Sequence, residues 1–323
     1  MALHSEILIW DNHACLPLRP DADFLPQLER FRAAGVNVVS INVTFDNIMP
    51  WYDGMKVLSF FRNWILARPE EYVLAGSTEQ IRVAQRDGKL AVFFDVEGMG
   101  ALDGEVSLVR TYYDLGVRWM LVAYNLNNPA GGGCMDDDPG LTSFGREVIK
   151  EMRRVGMVLC CSHTGERTCL DVFEQAEMPV ILSHANPRAL VDHPRCVSDT
   201  VMKACAQTGG VVGTVAYGTF LKGGDTRAAN VARHIDYAVQ LIGPEHVGYA
   251  SDYVFDEEEL KSFMANTTVF KPLAGQTGSV PQMFEPERAP ELTNELLKLG
   301  YADHHIRAIM GENWFRVCDV VWK

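Results

Sequence analysis

The 323-residue sequence predicts an α/β chain folded as a closed (β/α)8 TIM barrel, and three observations predict it. Short apolar runs alternate with amphipathic helical stretches along the whole length, the pattern of parallel strands joined by crossover helices. Eight such runs can be counted. No GxGxxG or GxxxxGK[ST] segment follows the first of them, which argues against a dinucleotide-binding sheet or a P-loop. Residues able to bind metals or move protons stand at the C-terminal ends of several runs, the face on which a barrel carries its active site. No internal repeat or low-complexity stretch divides the chain, so one catalytic barrel domain over residues 1–323 is expected.

The strands are expected at 7–13, 36–43, 90–96, 118–124, 157–163, 179–184, 210–216 and 247–252. Helical periodicity fills 24–34, 143–155 and 231–242 between them. Gly35, Gly116 and Gly156 stand where helices should stop, because a C-terminal cap takes a left-handed backbone that glycine adopts without a steric cost. Two connections are long. Residues 48–89 hold an extra helix after the second strand, and the Gly/Pro-rich stretch 253–288 follows the eighth; both should overhang the active face.

Composition narrows the function. A net charge of −13 repels phosphate backbones, and no Lys/Arg cluster offsets it, so nucleic acid is not an expected partner. No apolar run reaches the roughly 20 residues that a membrane span needs, and the first residues lack the basic and apolar pattern of a signal peptide. A cytoplasmic protein that does not bind membranes is expected. The eight cysteines lie mainly in apolar runs, as Cys160, Cys161, Cys169 and Cys205 do, and read as buried thiols of a reducing compartment rather than as disulfides.

The polar strand ends carry the chemistry: His13 and Cys15 on the first, Glu97 on the third, His163 on the fifth, His184 on the sixth and Asp252 on the eighth. Each loses hydration beside a packed core and needs a partner, which a divalent cation would supply. His13 and Cys15, two apart on an extended segment, share a face. Two successive strands end in Ser-His, at Ser162-His163 and Ser183-His184, a repetition that packing does not require. Imidazole suits zinc, and a carboxylate with two oxygens such as Glu97 can bridge two ions. A divalent ion that activates water and polarises a carbonyl, with Asp252 shuttling the proton, makes amide hydrolysis the expected reaction class.

His4, His234, His304 and His305 lie away from strand ends and are expected at the surface. The acidic runs at 136–138 and 256–259 read as solvated. Trp10, Trp51, Tyr52, Tyr217 and Phe255 fall near strand ends or in the loops after them, where an aromatic pocket and core packing are equally good readings.

A longer pattern joins these residues. Asp11-Asn12-His13, Asp95-Val96-Glu97-Gly98, Leu115-Gly116-Val117-Arg118, Asn127-Asn128-Pro129, residues 140–145, the two Ser-His pairs, His193-Pro194-Arg195, Ser251-Asp252 and Gly311-Glu312-Asn313-Trp314 resemble, in order and spacing, the membrane (renal) dipeptidase family of metallopeptidases. The resemblance covers nearly the whole chain. It implies two zinc ions, Glu97 bridging them, His13 on the first, and His163 and His184 on the second. It also implies Asp252 as the residue that handles the proton of the attacking water, Arg195 as the holder of a dipeptide's C-terminal carboxylate, and a homodimer.

Two positions leave the family pattern. Cys15 stands in place of an aspartate ligand, and Tyr124 in place of a histidine at the fourth strand. Cys15 therefore bears on whether one or two zinc ions bind. Tyr124 bears on substrate contact and on oxyanion stabilisation, because a phenol donates a hydrogen bond but is a weaker acid than imidazolium. The leading expectation is a zinc-dependent hydrolase of a dipeptide or similar small amide. The alternatives are an amidohydrolase acting on another small amide or N-acyl compound, and a homologue that binds a ligand with impaired catalysis.

Overall fold

The computed structural model of the chain describes residues 2–266 and 280–323, so the middle of the 253–288 connection lies outside the described residues. Ten strands form one sheet: β1 Trp10–Cys15, β2 Val38–Phe45, β3 Tyr72–Leu74, β4 Leu90–Glu97, β5 Val117–Leu121, β6 Val158–Cys160, β7 Val180–Ala185, β8 Val212–Val215, β9 Val247–Ala250 and β10 Tyr253–Val254. Every ladder is parallel. β9 and β10 are one stave interrupted at Ser251 and Asp252. Because β9 pairs with β8 and β10 with β1, through Ala14 opposite Tyr253, the sheet closes on itself. The architecture is the (β/α)8 barrel.

All eight expected strands are present, with shifted ends. A short helix, Ala2–Glu6, precedes the first strand, which begins at Trp10 rather than at residue 7. β5 and β6 stop at Leu121 and Cys160, so Tyr124 and His163 lie in the loops beyond them. β3 was not expected. It spans three residues, too few for periodicity to register, and borders the N-terminal half of β4 while β5 borders the C-terminal half.

Side-chain alternation on β4 shows how the site is aimed. Leu90, Val92, Phe94 and Val96 pack outward against the helices, whereas Ala91 and Phe93 join Trp10, Trp119 and Ile181 inside the barrel. A period of two then carries Asp95 and Glu97 inward. On β1 the parity is broken. Trp10 and Asn12 share a side through the indole N–H···Oδ1 bond of 3.0 Å, but the register slips between Asp11 and Ala14. That bulge turns Ala14 outward and leaves His13 and Cys15 facing the site.

The helices follow the expected spans. Ser143–Val155 starts where the Thr142 hydroxyl accepts from the Gly145 N–H at 3.1 Å, and it stops at Gly156 with φ 91°. A Cβ at Gly156 would meet the Lys323 nitrogen at 2.7 Å, so glycine is required there for space as well as for φ.

Two histidines expected at the surface are buried. His4 bonds the Thr293 hydroxyl at 2.8 Å and the Ala34 carbonyl at 3.0 Å. His234 accepts the Lys222 backbone N–H at Nε2 and is likewise enclosed. A helical pattern shows which face is apolar but not how deeply a histidine on its border sinks.

Burial, with the nearby Lys222 charge, holds the pKa of His234 down from 6.5 to about 4. The unfolded chain therefore takes up the proton first. Its stabilising share is complete above about pH 6.5 and falls as pH drops toward 4, by about 2 kcal/mol at pH 5. Urea unfolding at pH 7 and pH 5 should show this loss in the wild type, and His234→Gln should lack that component. An identical pH slope in the two proteins would exclude it.

Candidate active site

The C-terminal strand ends bring Glu97, His13, His163 and His184 to one point. Glu97 Oε1 lies 3.3 Å from His184 Nε2 and 3.6 Å from both His13 Nε2 and His163 Nε2. That oxygen is buried and has no hydrogen-bond partner. His13, Glu97 and His184 form one cluster of donor atoms close enough to share an ion, and His13, Cys15 and Asp252 form another. Cys15 Sγ stands 3.4 Å from His13 Nε2 and 3.9 Å from Asp252 Oδ1.

Each imidazole is held by its second nitrogen. His13 Nδ1 faces Asp95 Oδ2 at 3.3 Å, and Asp95 in turn accepts from the Ser40 hydroxyl and the Asn42 amide. His163 Nδ1 lies 2.8 Å from Asn125 Oδ1, and His184 Nδ1 lies 2.8 Å from the Ser183 hydroxyl. The two Nε2 atoms are 2.9 Å apart, so a tautomer with both protons on Nδ1 turns two lone pairs toward one point. The donor set thus fits a divalent metal ion, and the partners Asp95, Asn125 and Ser183 are the supports that such ligands need.

The electrostatics agree. Burial, reinforced by the positive charges of Arg195 and His13, holds His163 and His184 well below the usual imidazole pKa, so both rings are neutral. Burial opposes protonation of His13 too, but Cys15, Glu97 and Asp95 around it outweigh that and raise its pKa. Burial pushes the Glu97 carboxyl up to about 8 and the Cys15 thiol up to about 12. A bound cation would favour the charged form of both.

Backbone strain is concentrated here. Asn125, His163 and Asp252 have φ of 59°, 60° and 54°, in the left-handed region that residues other than glycine seldom occupy. Gly98, directly after Glu97, has φ 130°, and a Cβ there would lie 1.9 Å from the Asp46 carboxyl. The turn that releases Glu97 from β4 therefore needs glycine.

Cys15, Glu97, Tyr124, His163, His184 and Asp252 all line a cavity of about 270 Å³. The Tyr124 ring stacks on His163, with centroids 4.3 Å apart. His13 lies beneath, stacked on His184 at 4.1 Å. Arg195 does not line the cavity. It is 2% exposed, donates through Nη2 to the His184 carbonyl at 2.5 Å, and leaves Nε and Nη1 without partners. Of the aromatic residues singled out above, Tyr217 lines the cavity, whereas Trp10 and Phe255 are core residues and Trp51 and Tyr52 lie on the helix Trp51–Leu66. The acidic runs are partly engaged: Asp138 accepts from Thr168, while Asp256 and Glu259 pair with Arg19.

The contacts that Asp95, Asn125 and Ser183 make with the three imidazoles were not foreseen. Asp95 carried a usable signal, because it lies two residues before Glu97 on one strand and must share its face. Asn125 carried none, since its loop places it against His163 only in three dimensions.

A closed parallel barrel with histidines and a buried carboxylate converging at its C-terminal face defines a metal-dependent hydrolase. The chain belongs to the membrane dipeptidase family, peptidase family M19, whose model matches residues 52–264. A Klebsiella pneumoniae protein named for its place in the pqqA 5' region is 30% identical over 76% of this chain and 88% of its own length. An uncharacterized dipeptidase of Schizosaccharomyces pombe is 36% identical over 54% of this chain and 44% of its own. The crystal structure of an amidohydrolase from Pseudomonas aeruginosa superposes with a TM-score of 0.89, at 26% identity, over 99% of this chain and 98% of that one. The protein is a dipeptidase-like metallohydrolase. No helix among the described residues is long and apolar enough to cross a membrane.

Proposed function

We propose that this protein hydrolyses the amide bond of a small, dipeptide-like substrate with zinc, one or two ions per chain, held by His13, Cys15, Glu97, His163 and His184. One observation carries the reading: the buried, unpartnered Glu97 Oε1 sits within 3.6 Å of three imidazole nitrogens at the floor of an open cavity. When bound, zinc polarises the scissile carbonyl and lowers the pKa of water to near neutrality. The chain's own groups do the rest. Asp252, with Oδ1 3.6 Å from His13 Nε2 and on the cavity wall, accepts the proton of the attacking water and returns it to the leaving nitrogen. Tyr124, also on that wall, donates its phenolic hydrogen to the oxygen that gains charge. Arg195 is a positioning residue that fixes the main chain at His184.

The test is elemental analysis of purified protein together with a panel of dipeptides, N-acyl amino acids and lactams. Absence of bound metal after incubation with zinc, or no turnover across the panel, would defeat the proposal. Eight free cysteines, seven of them buried, support a reducing, cytoplasmic setting.

Thiolate ligation has its own readout. Reconstitution with Co²⁺ should give a near-ultraviolet sulfur-to-cobalt band, since only the thiolate binds such ions well. Cys15→Asp should abolish the band while keeping or raising the metal content. A wild type without the band shows that Cys15 is not a ligand.

A further inference from the structure

Asp46 directly follows β2 and is 3% exposed, yet it lies outside the lining of the cavity. Its position comes from an irregular ladder. Asn42 stands opposite Asp95 but Phe45 opposite Glu97, so β2 carries one extra residue between Asn42 and Phe45. That bulge sets Asp46 beside the turn that follows Glu97. The Asp46 backbone N–H donates to the Glu97 carbonyl at 2.9 Å.

The side chain grips the same turn. A Cβ at Gly98 would lie 1.9 Å from the Asp46 carboxyl carbon, and one at Gly100 would lie 2.5 Å from Oδ1, so the carboxyl group fills the space of two missing side chains. Oδ2 accepts from the Asn128 amide nitrogen, which also donates to the Val122 carbonyl at 2.7 Å. The Asn128 side-chain oxygen accepts from the Ala130 and Gly131 N–H groups at 2.7 and 3.1 Å. Burial pushes the Asp46 pKa up to about 7, against the Asn128 amide and the backbone N–H groups of Tyr124, Gly100 and Ala101, which favour the charged form. One buried acceptor thus joins the turn behind Glu97 to the loop after β5. That loop carries both Tyr124 and Asn125, the neighbour of His163 Nδ1.

We propose that Asp46 is a positioning residue for both halves of the site: by holding the turn after Glu97 against the loop after β5, it aims the Glu97 oxygen at the metal and the Tyr124 phenol at the reacting carbonyl. The assignment rests on the hydrolase reading above and deepens it. Asp46 acts through the backbone and not on the substrate.

Asp46→Asn makes the test, because it keeps the volume but puts an NH2 group where an acceptor stood, against the Asn128 amide or the backbone N–H groups of the turn. Titration of the full-length variant with Co²⁺ should give a dissociation constant at least about tenfold above that of the wild type, as loss of the support behind a ligand does. The visible cobalt spectrum should change with it. With a substrate that the wild type turns over, kcat should fall by about tenfold while KM stays nearly constant. In a Tyr124→Phe background the same substitution should cost at least about threefold less, because part of its effect passes through the phenol. A variant that only melts lower, with wild-type Co²⁺ affinity, spectrum and kcat, shows a structural role and overturns the assignment. Full additivity with Tyr124→Phe overturns it as well. If Asp46→Asn does not fold by circular dichroism, Asn128→Ala removes the donor to Oδ2 and leaves Asp46 in place; weaker Co²⁺ binding upholds the assignment and unchanged binding overturns it. A wild type that binds Co²⁺ but hydrolyses nothing defeats the hydrolase reading alone, since the metal titration still decides the role of Asp46. A wild type that takes up no metal defeats both.

Discussion

Glu97→Gln is expected to empty the metal centre and to lower turnover by about a thousandfold or more, because the ion is asked for several kcal/mol of transition-state stabilisation and each 1.4 kcal/mol is a factor of ten. Glutamine fills the same volume, so the barrel should persist. The reason for the loss lies in geometry. Glu97 supplies the one oxygen that three imidazole nitrogens share, at 3.3 to 3.6 Å, and it has no hydrogen-bond partner that would keep a substitute amide in place. The metal-free protein carries a buried carboxyl whose pKa burial has raised to about 8, so near neutrality part of the population holds an unfavourable buried charge. The neutral amide avoids it. Metal-free Glu97→Gln should therefore melt no lower than metal-free wild type. Elemental analysis, circular dichroism and a thermal melt check the three statements together, and a variant that keeps its full metal content would refute the role given to Glu97.

Asp252→Asn should behave differently. Turnover is expected to fall by about a hundredfold or more, as when a general acid-base is removed, while metal content and fold stay as they were. Asp252 approaches His13 at 3.6 Å but lies outside the ring of nitrogens around Glu97, on a stave interruption with φ 54°. Asparagine tolerates that backbone conformation better than most residues, so the substitution tests the proton and not the turn. Loss of the metal together with activity would make Asp252 a ligand instead. Retained turnover would assign the proton transfer to another group.

Much of this site was legible along the chain. His13, Glu97, His163, His184 and Asp252 each end an apolar run, and a parallel barrel must gather such ends on one face. Asp95 was legible in principle from its spacing to Glu97. Arg195 is a different case: only the family resemblance implied contact with a substrate carboxylate, and its place 5.5 Å from the Phe220 ring, outside the cavity lining and with Nε and Nη1 unpartnered, depends on tertiary packing. The burial of His4 and His234 was equally hidden, since Thr293 and Ala34, which bond His4, are 289 and 30 residues away from it.

By itself the sequence determined the barrel, the number of its staves and the residue types at its active face, because periodicity and capping are set by neighbours within a few positions. Only the tertiary structure decided which way those residues point and what surrounds them. The bulge in β1 that turns His13 and Cys15 inward, the pairing of β10 with β1 that closes the ring, and the place of Arg195 against the His184 carbonyl all depend on contacts between distant segments. Such contacts are chosen by how side chains fill a shared volume, and that choice leaves no local pattern in the chain.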